Sequence, residues 1–216
     1  MACSCCAFGN TADEHFNADK VAKELAQYRR KGPRPTTRLL RDGLVSAGIR
    51  EGTLLDVGGG LGILSLELLD AGFSRAIVVD ASSAYLAAAS EEATRRGRSG
   101  VTEFTHGDFL MVAGTVAPST VVTLDRVVCC YPSYEPLLRQ ALRLAKTGFA
   151  VSYPRDRWFV RLGMWLENAL RRRKGNPFRT FVHPPSDMMR IIEGAGFRLA
   201  SRGLTPTWSC DVFAKV

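Results

Sequence analysis

Leu54-Leu55-Asp56-Val57-Gly58-Gly59-Gly60-Leu61-Gly62 is an apolar run that ends in a carboxylate and then breaks into glycines. The apolar part reads as a buried strand. The glycines turn it sharply into a helix and leave the backbone N–H groups at the helix start open to a nucleotide-like ligand. A dinucleotide site needs G-x-G-x-x-G at this point, whereas the turn here is D-x-G-G-G-x-G with its own acid at the strand end. A second apolar strand, Ala76-Ile77-Val78-Val79, ends in Asp80, where a ribose-binding acid stands after one strand-helix-strand unit. Two acids at successive strand ends separate this pattern from the plain dinucleotide turn.

The rest of the chain repeats the strand-helix alternation. Residues 12–31 carry Phe16, Val21, Leu25 and Tyr28 at helical spacing, and Lys31-Gly32-Pro33-Arg34-Pro35 stops that helix. Thr36 or Thr37 is expected to cap a second helix through about residue 47, with Leu39, Leu40, Leu44 and Val45 as its buried face. Strands are expected at 53–57, 76–80, 101–105, 121–125 and 149–153, with a final hairpin from 197–201 and 207–216. Helices are expected at 61–71, 82–96, 136–145 and 158–174, and a last one capped by Ser186 or Asp187. Trp158, Leu162, Trp165, Leu166, Ala169 and Leu170 share one face of the 158–174 helix. The implied fold class is α/β. It is a Rossmann-like seven-stranded, mostly parallel sheet with helices on both faces and a C-terminal antiparallel hairpin. At 216 residues and 46% hydrophobic, the chain suffices for one such domain.

With Asp56 ahead of the glycines, the turn resembles motif I of the class I S-adenosylmethionine-dependent methyltransferases. That resemblance implies a single methyltransferase domain over residues 1–216: a helical arm or lid at 1–50, a cofactor-binding core at 51–152, an inserted helix and loop at 155–185 as substrate lid, and a C-terminal helix and strands at 186–216. It also implies S-adenosylmethionine as cofactor and S-adenosylhomocysteine as product. Asp56, Gly58, Gly59 and Gly60 would hold the amino-acid portion. Asp80 with Ala81 and Ser82 would hold the ribose, and Asp108 and Phe109, after His106-Gly107, the adenine. Asp125, Arg126 and, from the arm, Tyr28 complete the expected cofactor set, with Arg29 and Lys31 as further lid residues. His106 receives no catalytic role.

The second half narrows the likeness. The order strand, Tyr131-Pro132, helix, Ser152-Tyr153-Pro154, aromatic helix, Arg179-x-Phe181-x-His183, helix, Gly194-Ala195-Gly196-Phe197 resembles the magnesium-protoporphyrin O-methyltransferases. Those enzymes have His-Tyr-Pro where this chain has Cys130-Tyr131-Pro132, so an imidazole that could act as base is missing there. Tyr131, Tyr153 and His183 are the catalytic candidates, with Arg155 as a further pocket residue. The reading is methyl transfer to a small-molecule nucleophile, in particular an oxygen.

Charge and cysteines leave alternatives. A formal charge of +8 suits nucleic acid, an anionic membrane or an acidic substrate, yet only Arg171-Arg172-Arg173-Lys174 forms a block. The Asn/Asp-Pro-Pro-Tyr sequence of methyltransferases acting on nucleic-acid amines is absent, which disfavours that partner. No apolar run approaches the roughly 20 residues of a membrane span and no signal segment is evident, so a cytoplasmic location is expected. Six cysteines, Cys3, Cys5, Cys6, Cys129, Cys130 and Cys210, are then thiols. If the N-terminal arm folds over the pocket, Cys3, Cys5 and Cys6 approach Cys129 and Cys130 and would suit a metal, a metalloid or a thiophilic substrate such as trivalent arsenic. The remaining alternative is a non-catalytic S-adenosylmethionine-binding partner subunit.

Overall fold

The computed structural model describes residues 16–216; Cys3, Cys5 and Cys6 lie outside them. The strand expected at 53–57 is β1 (Thr53–Val57), buried from Leu54 onward. It pairs in parallel with β2 (Arg75–Asp80) on one side and β4 (Ser119–Asp125) on the other. With β3 (Thr102–His106), β5 (Ala145–Pro154), β6 (Phe197–Leu204) and β7 (Trp208–Lys215) the sheet order is β3-β2-β1-β4-β5-β7-β6. The first five strands are parallel, and β7 runs antiparallel between β5 and β6. This is the class I methyltransferase fold. Near-continuous apolar runs such as Ala76–Val79 suit strands covered on both faces. The outer strand β6 exposes Arg198 and Arg202 and breaks register between Leu199 and Ser201, two features that discourage further strand addition.

The helices are α1 (Ala18–Lys31), α2 (Pro35–Ser46), α3 (Ile63–Asp70), α4 (Ser83–Arg95), the single turn α5 (Phe109–Val112), α6 (Tyr134–Leu144), α7 (Trp158–Arg173) and α8 (Pro185–Gly194). Helix α3 starts two residues later than expected, because Gly62 sits in the left-handed region with φ +66° and ends the turn there. Neither Thr36 nor Thr37 caps α2: Pro35 fills its first position after Arg34, and both threonines are buried. Neither Ser186 nor Asp187 caps α8, which begins at Pro185. In both cases proline's fixed φ starts the helix in place of a side-chain oxygen. Ser82 does cap α4, its hydroxyl accepting from the Tyr85 N–H.

Successive β1 residues feed opposite cores, as strand periodicity requires. Leu55 joins Val122, Leu124, Phe149, Phe197 and Phe213 with α6 and α8, whereas Leu54 joins Val121 and Val212 with Leu40, Leu44 and α3. Phe149 is fully buried, with the Phe197 and Phe213 rings 6.3 and 6.4 Å away. Phe149→Ala is expected to cost about 3–5 kcal/mol of stability, read as a lower midpoint in urea denaturation. A smaller cluster ties α1 over the glycine turn: Val21, Leu25 and Tyr28 against Leu61 and Tyr85. The α7 residues that share a face do so as expected, but that face looks outward and only Val160 of the helix is buried.

Candidate active site

The glycine turn hangs on β2, with the Gly58 and Gly59 N–H groups both donating to the Val79 carbonyl at 2.7 and 3.2 Å. Gly58 has φ +63°, and a Cβ there would stand 2.6 Å from Val127; at Gly59 it would stand 2.8 Å from Val78. Side chains at Gly58 and Gly59 are therefore excluded by the fold itself. Asp56 is buried beneath the turn. One of its oxygens accepts from Thr123 Oγ1 at 2.6 Å and the other from Ser65 Oγ at 2.9 Å. Burial pushes its carboxyl up to about 7, against the pull of those two hydrogen bonds. At the next strand end, Asp80 accepts from the Gly60 and Ser82 N–H groups, each at 2.8 Å. Burial lifts it to about 6.

These groups open into a cavity of about 730 Å³ at the carboxyl ends of the parallel strands, where open α/β sheets place ligands. Its walls come from α1, α2, the glycine turn, the segment after β4, and α7. Asp125 bolts α2 to β5: Thr37 Oγ1 of α2 donates to one oxygen at 2.7 Å and Ser152 Oγ of β5 to the other at 2.6 Å. Arg126 follows with φ +66°, the one non-glycine in the left-handed region among the described residues. Such strain persists where surrounding structure imposes it; here the Ser152 hydroxyl accepts the Arg126 N–H at 2.8 Å. The Arg126 guanidinium lies 5.1 Å above the Trp208 ring, and its buried Nε has no partner. Cys129 and Cys130 occupy the next turn with their sulfurs 3.9 Å apart. A hydrogen bond from Cys129 holds the Cys130 thiol below its ordinary range, helped by Arg126 and Arg171.

Tyr131 lines the cavity and donates to Asp108 Oδ1 at 2.7 Å, while the buried Asp108 Oδ2 has no partner. Burial and that carboxylate raise the Tyr131 phenol well above the usual range. Tyr28, Lys31, Ala81 and Phe109 also border the cavity.

Other expected residues stand apart. Ser82 is fully buried as the α4 cap and donates to the Phe16 carbonyl. Tyr153 donates to Asp211 Oδ2 at 2.7 Å, deep beside the Arg202–Asp211 ion pair. His183 places Nε2 2.9 Å from the Tyr131 carbonyl and 3.2 Å from that of Val128, clasping the cysteine turn from behind. Burial lowers its pKa. Arg155 donates to the Thr205 carbonyl, and Arg29 pairs with Glu92. Thr123, Ser65 and Trp208 were not singled out from sequence, where Thr37 reads as a helix cap and Arg171 as part of a basic block rather than as residues of this site. Thr123 carried a usable signal, being a hydroxyl inside an otherwise apolar strand.

A strand-end acid under a glycine cradle, a second acid one unit later and a cavity over both, set in this sheet order, make the layout of the S-adenosylmethionine-dependent methyltransferase fold. The comparisons agree. Residues 54–148 match a family described as Methyltransferase domain. The magnesium protoporphyrin IX methyltransferase of Synechocystis PCC 6803, solved with bound S-adenosylhomocysteine, superposes with a TM-score of 0.72 at 18% identity, covering 94% of this chain and 98% of that one. An O-methyltransferase family protein of Burkholderia thailandensis gives 0.73 at 14% identity, over 95% and 61%. Human N-acetylserotonin methyltransferase gives 0.63 at 17% identity, over 92% and 56%. No curated protein matches.

Proposed function

We propose that this enzyme methylates an acidic oxygen, carboxylate or phenol, of a small molecule. The observation that carries the reading is the Arg126 guanidinium, stacked on Trp208 at the cavity wall with its Nε unpartnered. A planar cation on an aromatic ring is suited to an acidic ring-bearing acceptor. The O-methyltransferase neighbours point the same way.

Two features of the cavity suit the cofactor: Gly58, Gly59 and Gly60 bring bare backbone to its wall, and Asp80 presents a carboxylate at the next strand end; Asp108, whose buried Oδ2 has no donor, lies just behind the Gly107 and Phe109 wall rather than on it. S-adenosylmethionine, when bound, supplies a sulfonium-activated methyl group. In this reading Asp80 holds the ribose, the glycine turn over Asp56 the amino-acid portion, and Asp108 with Phe109 the adenine. Arg126 orients the acceptor oxygen, and α1, through Tyr28, restricts water. No base is needed if the acceptor is ionised or readily so. That suits a site where the Tyr131 phenol is already donating to Asp108 and hard to deprotonate, and where the His183 Nε2 is engaged by backbone carbonyls.

Release of S-adenosylhomocysteine over a panel of phenols, carboxylates, thiols and arsenite tests the reading, and turnover confined to thiols or arsenite would sink it. Arg126→Ala should raise KM for the acidic acceptor about tenfold or more with a smaller change in kcat, and Arg126→Lys should recover part of the loss. Equal KM in all three proteins would remove Arg126 from acceptor binding. The adjacent Cys129 and Cys130 sulfurs favour a second reading, in which the acceptor is a thiol or metalloid. Unchanged turnover in Cys129→Ser/Cys130→Ser removes it.

A further inference from the structure

The cavity uses one side of α7, through Met164, Glu167 and Arg171. The opposite side faces outward with Trp158 77% exposed, Trp165 65%, Leu170 58%, and Leu162, Leu166 and Phe159 each more than two-fifths exposed. Their recurrence at three and four residues makes one continuous stripe. Large side chains gathered this way on an otherwise polar surface mark a contact site.

We propose that α7 lies flat on an anionic lipid surface through this stripe. Charge selects that occupant. Arg157 stands at the start of the helix and Arg172, Arg173 and Lys174 at its end, all exposed. Among the described residues none of these four forms an ion pair, while the nearby acids Asp156 and Glu167 are taken by Arg161 and Arg171. An apolar stripe bearing two tryptophans with unpaired cations at both ends is the pattern of a helix that rests in the headgroup region, and each such cation is attracted by an acidic leaflet. No helix among the described residues is long and apolar enough to cross a membrane, so the contact is peripheral. A second copy of the chain fits less well. Face-to-face packing of two α7 stripes in either direction would bring unpaired arginines against unpaired arginines. The inner wall of α7 then holds the cavity beside the lipid headgroups, whatever the methyl acceptor is.

The test is co-sedimentation with phosphatidylcholine vesicles made with and without phosphatidylglycerol. The full chain should sediment with the anionic vesicles, weakly or not at all with the neutral ones, and less as salt is raised. Trp158→Ser/Trp165→Ser should bind about tenfold more weakly or worse, while its thermal melting and S-adenosylmethionine binding stay as in the parent. Arg172→Gln/Arg173→Gln, changed only at exposed sites, should lose most of the salt dependence and decides the question if the tryptophan variant fails to fold. The proposal is overturned if anionic vesicles bring down no protein, if both variants bind as well as the parent, or if sedimentation velocity without lipid finds a dimer that the tryptophan variant dissociates.

Discussion

Asp80→Ala should weaken S-adenosylmethionine binding by about 100-fold or more, roughly 2.7 kcal/mol, measured by calorimetry. Two costs combine. The carboxylate accepts the Gly60 and Ser82 N–H groups at 2.8 Å each, so its loss leaves two backbone donors of the turn unsatisfied. Charge-assisted bonds of this kind are worth about 1.5–3 kcal/mol apiece. The same carboxylate is the proposed acceptor for the ribose hydroxyls, a bond that exists only in the complex. Because burial lifts Asp80 to about 6, the parent protein's affinity should fall as pH is lowered through that value, whereas Asp80→Asn should be weak and nearly flat across the same range. A variant that binds within about threefold of the parent would remove Asp80 from the ribose site.

The parts of this site that could be read from the chain are those where local pattern and tertiary role coincide. Thr53–Val57 forms the expected strand to the residue, because an apolar run closed by an acid and three glycines has one way to satisfy both burial and a tight turn. Asp80 follows from the same logic one unit later, whereas Phe109, Asp125 and Arg126 come from the methyltransferase resemblance; all four border the cavity. Tyr153 and His183 were ambiguous for a physical reason: both side-chain types suit a half-buried structural bond as well as a pocket. Tyr153 is held by Asp211, 58 residues on, and His183 by carbonyls more than 50 residues back, partners that no local window reveals. Thr37 reads locally as a helix cap, and its bond to Asp125 spans 88 residues. Helical spacing established which α7 residues share a face but carries no information on whether that face turns inward. Its direction is set by Met164 and Arg171 meeting the cavity on the other side.

Asp56 makes the second large prediction, and it concerns stability. In the unfolded chain the group titrates near 3.8, and in the folded one burial holds it near 7. Between those values the folded protein keeps a proton that the unfolded chain has released, so stability must fall as pH rises from about 4 to 7 and level off above. A displacement of about three units corresponds to roughly 4 kcal/mol across the window. Asp56→Asn should remove that slope. The amide is nearly isosteric, its oxygen can accept from one hydroxyl, and its nitrogen can donate to the other once that hydroxyl rotates. Asp80, also raised by burial, contributes a slope of the same sign to both proteins, so the difference between them isolates Asp56. Urea midpoints taken at about pH 5 and pH 8 should show the parent losing markedly more stability than the variant. If the two proteins lose equal amounts, Asp56 is ionised throughout, and the Thr123 and Ser65 hydroxyls outweigh its desolvation. In that case the glycine turn rests on a buried negative charge at neutral pH, and the same two hydroxyls become the groups whose removal would unfold it.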